Sequence, residues 1–258
     1  MSQLEIRRNW EKRQQEHGNQ PRAVLMKGLH PLINESIDLW HRDVMRSVFS
    51  DRLAPVDGAL ILDVGCGFGR LADEITRLGR VPVGLDFTQQ FCAGFAAVHG
   101  DAICATQTAL PFVDGAFSGG YSVTSLMYLE HDAARLALIE LNRCLATNGL
   151  VLLLEPCREF NEFVRMLLPA KRRERLAMPG FTRNEVSGIL PSTWSIVAAG
   201  DCRWLTMALP LLAITTRWPR IYRRLASLAR RLDRPVIGGR KPTGTISLYR
   251  WVACRKTG

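Results

Sequence analysis

The fold class of this chain is indicated by one ten-residue stretch, Ile61-Leu62-Asp63-Val64-Gly65-Cys66-Gly67-Phe68-Gly69-Arg70. An apolar run ends in an acid, three alternate glycines follow, and a helical pattern begins. Glycine adopts positive φ without strain and lets a ligand approach the backbone closely. The stretch therefore predicts a strand, a tight turn and a helix whose free N–H groups help to cradle a small ligand at the carboxyl edge of a sheet.

The same alternation continues along the chain. Apolar runs predict strands, and periodic apolar patterns predict helices between them. The strands are expected at 59–64, 81–85, 102–105, 117–123, 150–154, 194–199 and 246–253, and helices at 71–78, 90–98, 133–145 and 182–190. Asp132 is the expected N-cap of the third helix, and Asn148-Gly149 its stop. Strands alternating with helices predict an α/β fold, a parallel sheet with helices on both faces.

The spacing of the glycines separates two ligand classes. A dinucleotide fingerprint, G-x-G-x-x-G, would need a third glycine at position 70, where this chain has Arg70. The pattern G-x-G-x-G after Asp63 instead resembles motif I of the class I S-adenosylmethionine (SAM) methyltransferases. An NAD-dependent oxidoreductase remains an alternative because it also places an acid after its second strand, as Asp86 does here.

Four further segments resemble the ubiquinone-biosynthesis-like (methyltransferase type 11) subgroup of that family. Asp86 follows Asp63 by 23 positions, and 109–117 is similar to the subgroup's LPF-x-D-x-x-F box. Segment 140–149 is similar to its E-L-x-R-V-L-x-P-G-G box, and 154–156 to the end of its fifth strand. The resemblance covers about residues 55–156. It implies a Rossmann-like, mostly parallel seven-stranded sheet whose last strand is antiparallel, and SAM as cofactor.

The resemblance also implies roles for single residues. The turn that backs the amino-acid part of SAM is formed by Asp63, Gly65, Cys66, Gly67 and Gly69. Asp86 holds the ribose. Thr106 and Gln107 border the adenine, and Ser122 lies near the methionine moiety. The family often places an active-site base after the fourth strand, where this chain has Tyr128 and His131. Two positions depart from the family: Thr106 replaces an acid, and Ser118 replaces the aspartate after Phe117.

The expected organisation is one domain over residues 1–258. Residues 1–50 form a helical N-terminal cap and 55–156 the SAM-binding core. Segments 157–181 and 203–243, the second a C-terminal helical insertion, are expected to cover and select a small-molecule acceptor, hydrophobic or anionic. No residue cluster suggests a metal.

The positive charge is concentrated in one segment. The chain has 34 Lys and Arg against 24 Asp and Glu, and nine of the basic residues lie between Arg217 and Lys241 with one acid, Asp233. A shorter basic run spans 171–175. Residues 218–232 repeat apolar side chains at helical spacing, which predicts an amphipathic helix. Three interpretations stay open: a lid packed on the substrate pocket, an anionic membrane surface bound by 203–241, or an anionic substrate or RNA.

Composition and motifs limit the remaining function classes. No apolar run reaches the roughly 18 residues of a membrane span. The charged N-terminus is unlike a signal peptide. Seven cysteines without a CxxC pair favour a reducing compartment. We therefore expect a cytoplasmic enzyme, peripheral at the inner face of a membrane if the second interpretation holds.

The run Ser122-Val123-Thr124-Ser125 has no proline, which argues against a nucleic-acid base as acceptor. A SAM-fold binding protein without catalysis and an RNA methyltransferase remain alternatives.

Overall fold

One seven-stranded sheet organises the chain. The computed structural model describes residues 3–26, 29–53, 57–166, 180–233 and 247–258. The strands are β1 Leu60–Val64, β2 Val81–Asp86, β3 Ala102–Cys104, β4 Phe117–Val123, β5 Leu145–Pro156, β6 Trp194–Asp201 and β7 Tyr249–Lys256. Their order is β3-β2-β1-β4-β5-β7-β6, and β7 is antiparallel to both of its neighbours. The predicted mostly parallel sheet with an antiparallel last strand is confirmed.

Ten helices flank the sheet in the described ranges. They are α1 Gln3–His17, α2 Pro21–Val24, α3 Pro31–Arg52, α4 Ala72–Thr76, α5 Gln89–His99, α6 His131–Cys144, α7 Arg158–Met166, α8 Arg183–Ile189, α9 Trp204–Thr215 and α10 Pro219–Leu232. A 3₁₀ turn spans Leu126–Tyr128. The capping box predicted from Thr182 and Glu185 is present at the start of α8. No helix in these ranges is long and apolar enough to cross a membrane.

The predicted range 133–145 agrees with α6 to within two residues, but the predicted N-cap and stop residues are wrong. The helix begins at His131 with Glu130 as N-cap, so Asp132 lies in its first turn. It ends at Cys144, before Asn148, because β5 already begins at Leu145 and pairs there with Phe117 of β4. The positive φ of Asn148, +64°, therefore serves an irregularity near the start of β5 and not a helix stop.

Strand β5 divides the core between the two faces of the sheet. Leu150, Leu152 and Leu154 pack with α3, α9 and α10 on one face. Val151 and Leu153 pack with α6 and α8 on the other. This alternation follows from the two-residue period of a strand, and it leaves both faces covered by helices, as predicted. The carboxyl edges of β1, β2 and β4 remain for a ligand.

The C-terminal insertion packs on α3. The Tyr222 hydroxyl of α10 lies 2.8 Å from the Ser36 hydroxyl, and Arg230 pairs with Asp43 at 3.3 Å. The amphipathic helix predicted over 218–232 is present as α10, but its contact face is rotated. Tyr222, Ala226 and Ala229 are buried. Four of the apolar residues that define the predicted face are exposed: Trp218, Ile221, Leu228 and Leu232. The basic run 171–175 and residues 234–243 lie outside the described residues.

Candidate cofactor-binding site

A cavity of about 430 Å³ lies where the carboxyl ends of β1, β2 and β4 meet. Its inner wall is the glycine turn after β1, the end of β2 and the segments that follow β3 and β4. Its outer wall is α1, together with Val24 of α2. Ligand pockets commonly measure about 300–1,000 Å³. A cavity of ligand size therefore lies at the edge where the sequence predicts a small-ligand cradle, and helix α1 forms its outer wall.

The glycine turn forms the floor of this cavity. Gly65 and Gly67 line it with φ of +78° and +53°, and Cys66 lies between them. The N–H groups of Gly65 and Cys66 donate to the Leu85 carbonyl at 2.7 and 3.0 Å, which ties the turn to β2. A Cβ at Gly65 would lie 2.4 Å from the Ser125 Cβ. Glycine is required there because the turn touches the segment after β4.

Gly69 has a different role from its two neighbours. Its φ is +85°, and it does not line the cavity. A Cβ at this position would lie 2.4 Å from the His99 ring and 2.8 Å from the Phe95 ring. Gly69 therefore permits close packing of the turn against α5. It does not form part of the cavity surface.

Asp63 lies beneath the turn. Its side chain is buried, and the Tyr121 hydroxyl donates to its Oδ2 at 2.8 Å. Burial raises the pKa of Asp63 to about 7. Asp63 is not among the residues that line the cavity. It supports the turn from below, so the expectation that it shapes the turn agrees with its position, whereas a direct ligand contact does not.

Asp86, at the end of β2, lines the cavity itself. Its Oδ2 accepts from the Gly67 N–H at 3.0 Å, and its Oδ1 accepts from the Thr88 N–H at 2.8 Å. Burial raises the pKa of this carboxyl group. No cation within the described ranges forms an ion pair with it. Since each carboxylate oxygen has more than one acceptor site, Asp86 can still accept hydrogen bonds from a diol.

The residues after β3 and β4 complete the inner wall. Thr106 and Gln107 line the cavity. Ser122 does not: it is 1% exposed, and its hydroxyl lies 2.9 Å from that of Ser125. Strand β4 continues to Val123, so Ser122 is still paired within the sheet. Ser125, three residues on, lines the cavity in its place.

A buried acid holds the segment after β4 in place. Glu155, at the end of β5, accepts from the backbone N–H groups of Ser125, Leu126 and Met127 at 3.2, 3.0 and 3.3 Å. Burial raises the pKa of Glu155 to about 8. The sequence resemblance singled out 154–156 without a role. The structure makes Glu155 the residue that positions the wall.

The outer wall contains residues that the sequence did not identify as site residues. Leu4, Ile6, Arg7 and Trp10 of α1 line the cavity. The Trp10 ring packs edge-on against Tyr128 at 5.4 Å between ring centroids. A tryptophan in an otherwise charged segment was the available signal, because large aromatic side chains usually bury their area against something.

The two predicted base candidates lie in different places. Tyr128 lines the cavity, and burial raises its pKa to about 12, so its phenol stays protonated at neutral pH. His131 lines a neighbouring cavity of about 240 Å³ with Arg158 and Glu185, and its side chain is 55% exposed. Leu129 lines both cavities. The structure therefore brings Tyr128, and not His131, to the glycine turn.

The central part of the chain is similar to known methyltransferase sequences. Residues 62–153 match the family model of the methyltransferase domain. The chain is 29% identical over 136 residues to the O-methyltransferase resE of Aspergillus sclerotiorum, covering 49% of this chain and 50% of the relative. It is 33% identical over 104 residues to the O-methyltransferase rstn1 of Aspergillus nomiae, covering 37% and 45%. The matched segments thus span about half the length of these relatives.

Solved structures share the fold over nearly the whole chain. A geranyl diphosphate C-methyltransferase from Streptomyces coelicolor A3(2), solved with Mg2+, geranyl diphosphate and S-adenosyl-L-homocysteine, superposes with a TM-score of 0.60 at 18% identity. The superposition covers 99% of this chain and 97% of that protein. The likeness extends the shared architecture beyond residues 62–153 to the helices on both sides of the core.

Proposed function

We propose that this chain, a class I SAM-dependent methyltransferase, transfers a methyl group to the hydroxyl oxygen of a small, largely apolar acceptor. The observation that carries the proposal is the single cavity in which the glycine turn and Asp86 face the apolar side of α1. Two relatives named as O-methyltransferases support oxygen as the accepting atom. SAM supplies an activated methyl group on a positively charged sulfur.

The residues present fit this cofactor by their chemistry. The turn offers the backbone of Gly65 and Gly67, and Cys66 and Arg70 line the cavity beside them, which suits a compact aminocarboxylate. Asp86 offers two acceptor oxygens for the paired hydroxyls of a ribose, and charge-assisted hydrogen bonds of this kind are strong. Thr106 and Gln107 offer polar groups that can hydrogen-bond to the edge of the adenine ring. Gln107 Oε1 also lies 3.4 Å from the Ser125 hydroxyl. We propose that these residues hold SAM.

The acceptor is proposed to bind between α1 and the segment after β4. Leu4, Ile6 and Trp10 present apolar surface there, and Arg7 adds a positive charge that favours an anionic substituent. The edge-on packing of Trp10 on Tyr128 adds aromatic surface at this end of the cavity. None of the described residues of α9 and α10 lines the cavity. Selection of the acceptor therefore falls to α1.

Alignment of the reacting atoms is the proposed source of catalysis. Holding two reactants in line can supply about 7–11 kcal/mol of a barrier. Tyr128, protonated at neutral pH, acts as a wall and a hydrogen-bond donor. His131 lies in the neighbouring cavity, so we expect His131→Ala to change kcat by less than about threefold, well below the roughly 100-fold or greater effect of losing a general base. A loss of 100-fold, rescued at high pH, would instead establish His131 as the base.

Calorimetry followed by an acceptor screen tests the proposed function. We expect S-adenosylhomocysteine to bind the pure protein, and labelled methyl from SAM to appear on oxygen in a panel of small phenols and alcohols. Binding without any product across oxygen, nitrogen and carbon acceptors would favour the binding-protein alternative. Label recovered on RNA would favour an RNA methyltransferase. Absence of binding to either nucleoside would overturn the proposal.

A further inference from the structure

Helices α9 and α10 each leave an apolar stripe exposed. On α9 the stripe is Trp204, Met207, Leu211 and Ile214, with exposed fractions of 42%, 63%, 51% and 66%. On α10 it is Trp218, Ile221, Leu228 and Leu232, with fractions of 54%, 51%, 55% and 52%. Both series advance by three, four or seven positions, so each stripe lies on one side of its helix. We call these eight residues the α9–α10 stripes.

The stripes are distinct from the packed faces of the two helices. Leu205 and Leu212 of α9 and Tyr222 and Ala229 of α10 are buried in the core shared with α3. The two helices also contact each other. Apolar side chains thus continue past the core onto the protein surface. Single exposed apolar residues are ordinary, whereas eight on two contacting helices call for a physical explanation.

A row of arginines runs beside the α10 stripe. Arg217, Arg220, Arg224 and Arg231 are exposed and advance by three, four and seven positions. None of them forms an ion pair with a carboxylate in the described parts of the chain, whereas Arg223 and Arg230, on the side toward α3, pair with Glu35 and Asp43. Asp233, the acid within this basic segment, is buried and accepts the N–H groups of 203–205. The exposed charge beside the stripe is therefore positive.

We propose that the α9–α10 surface docks on an anionic phospholipid bilayer. Apolar side chains with tryptophan on one side and arginines beside them match the chemistry of helices that lie in a membrane interface. Each arginine near an anionic leaflet adds attraction. Self-association through the same face would bring two arginine rows together, which opposes a second copy of the chain. RNA would leave the apolar stripes in water. Docking is independent of the methyl transfer proposed above.

Vesicle sedimentation of the full chain tests this proposal. We expect binding to vesicles that contain about one-third phosphatidylglycerol in phosphatidylcholine, weakening as salt rises, and little binding to phosphatidylcholine alone. Arg220→Glu with Arg224→Glu should weaken binding by about 30-fold or more, since each lost arginine costs about fivefold. Ile221→Ser with Leu228→Ser should weaken it at least tenfold.

A matched control comes from helix α6. Arg135→Glu with Leu136→Ser changes the same residue types, also exposed, and should leave vesicle binding within twofold. Thermal unfolding of every variant confirms that the fold is kept. Equal binding to neutral and anionic vesicles, or an equal loss in the control, would overturn the proposal. So would a wild-type dimer that Ile221→Ser with Leu228→Ser dissociates, or binding to RNA and not to vesicles.

Discussion

The carboxyl edge of the sheet and the α9–α10 surface are built in opposite ways. At the edge, the polar groups of Asp63, Asp86 and Glu155 are buried and each accepts hydrogen bonds from the protein. On α9 and α10, apolar side chains are exposed, and the arginine row beside them (Arg217, Arg220, Arg224 and Arg231) lacks partners among the described carboxylates. The edge is organised before any ligand arrives. The helical surface gains its contacts only from something outside the chain.

Removing Asp86 should have the largest effect on the edge. Asp86→Ala removes two charge-assisted acceptors for the ribose, each worth about 1.5–3 kcal/mol, so we expect a loss of affinity for S-adenosylhomocysteine of about 100-fold or more by calorimetry. Asp101→Asn, an exposed acid just before β3, is the control and should keep wild-type affinity. A change below fivefold in Asp86→Ala would mean that the ribose lies elsewhere.

Two glycine substitutions separate backbone strain from crowding. Gly65 and Gly58 have similar φ values, +78° and +73°. A Cβ added at Gly65 would lie 2.4 Å from the Ser125 Cβ, whereas one added at Gly58 would contact nothing within 4 Å. We expect Gly58→Ala to cost about 1–2 kcal/mol of unfolding free energy, and Gly65→Ala to cost more and to weaken cofactor binding. Equal costs in denaturant titrations would show that the turn has room for a side chain.

Asp233 tests how the exposed helices are held. It accepts the N–H groups of Arg203, Trp204 and Leu205 at 2.8, 2.6 and 2.7 Å, and so caps α9 from the end of α10. Asp233→Ala should lower the unfolding free energy by about 1–2 kcal/mol and speed hydrogen exchange in α9. Affinity for S-adenosylhomocysteine should not change, because no described residue of α9 lines the cavity. A loss of that affinity would contradict the separation of the two regions.

The last prediction concerns the pH dependence of the unfolding free energy. The pKa of Asp63 is about 7 in the folded protein and about 3.9 in an unfolded chain. The folded state therefore holds a proton that the unfolded state has released, and this group lowers stability as pH rises from about 4 to 7. Asp63→Asn should remove that decline. The measurement is the difference in unfolding free energy between wild type and variant across this range, and a difference that does not vary with pH would refute it.

The two regions also differ in how far the sequence predicts them. The positions of the glycine turn and of Asp86 can be predicted from the sequence, because each directly follows or ends an apolar run that predicts a strand. The sequence does not show that Ser125, and not Ser122, lines the cavity, because the exact residue at which β4 leaves the sheet depends on its pairing with β1 and β5. Trp10 was missed as a wall residue because its partner Tyr128 lies more than 100 positions away in the chain.

The α10 helix shows a second limit of sequence patterns. Its spacing correctly predicted an amphipathic helix, but a stripe of apolar residues does not say what covers it. In the structure small residues, Ala226 and Ala229, take the core side with Tyr222, and Ile221 and Leu228 face outward. Close packing on α3 favours small side chains there. The burial of a helix face is thus a tertiary property.

A crystal structure of the protein with S-adenosylhomocysteine tests the central claim most directly. We predict that the nucleoside binds on the glycine-turn side of the cavity behind α1, with both ribose hydroxyls within about 3 Å of the Asp86 carboxylate and the amino-acid end against Gly65 and Gly67. A ligand bound outside this cavity, or a cavity that stays closed to the nucleoside at saturating concentration, would contradict it.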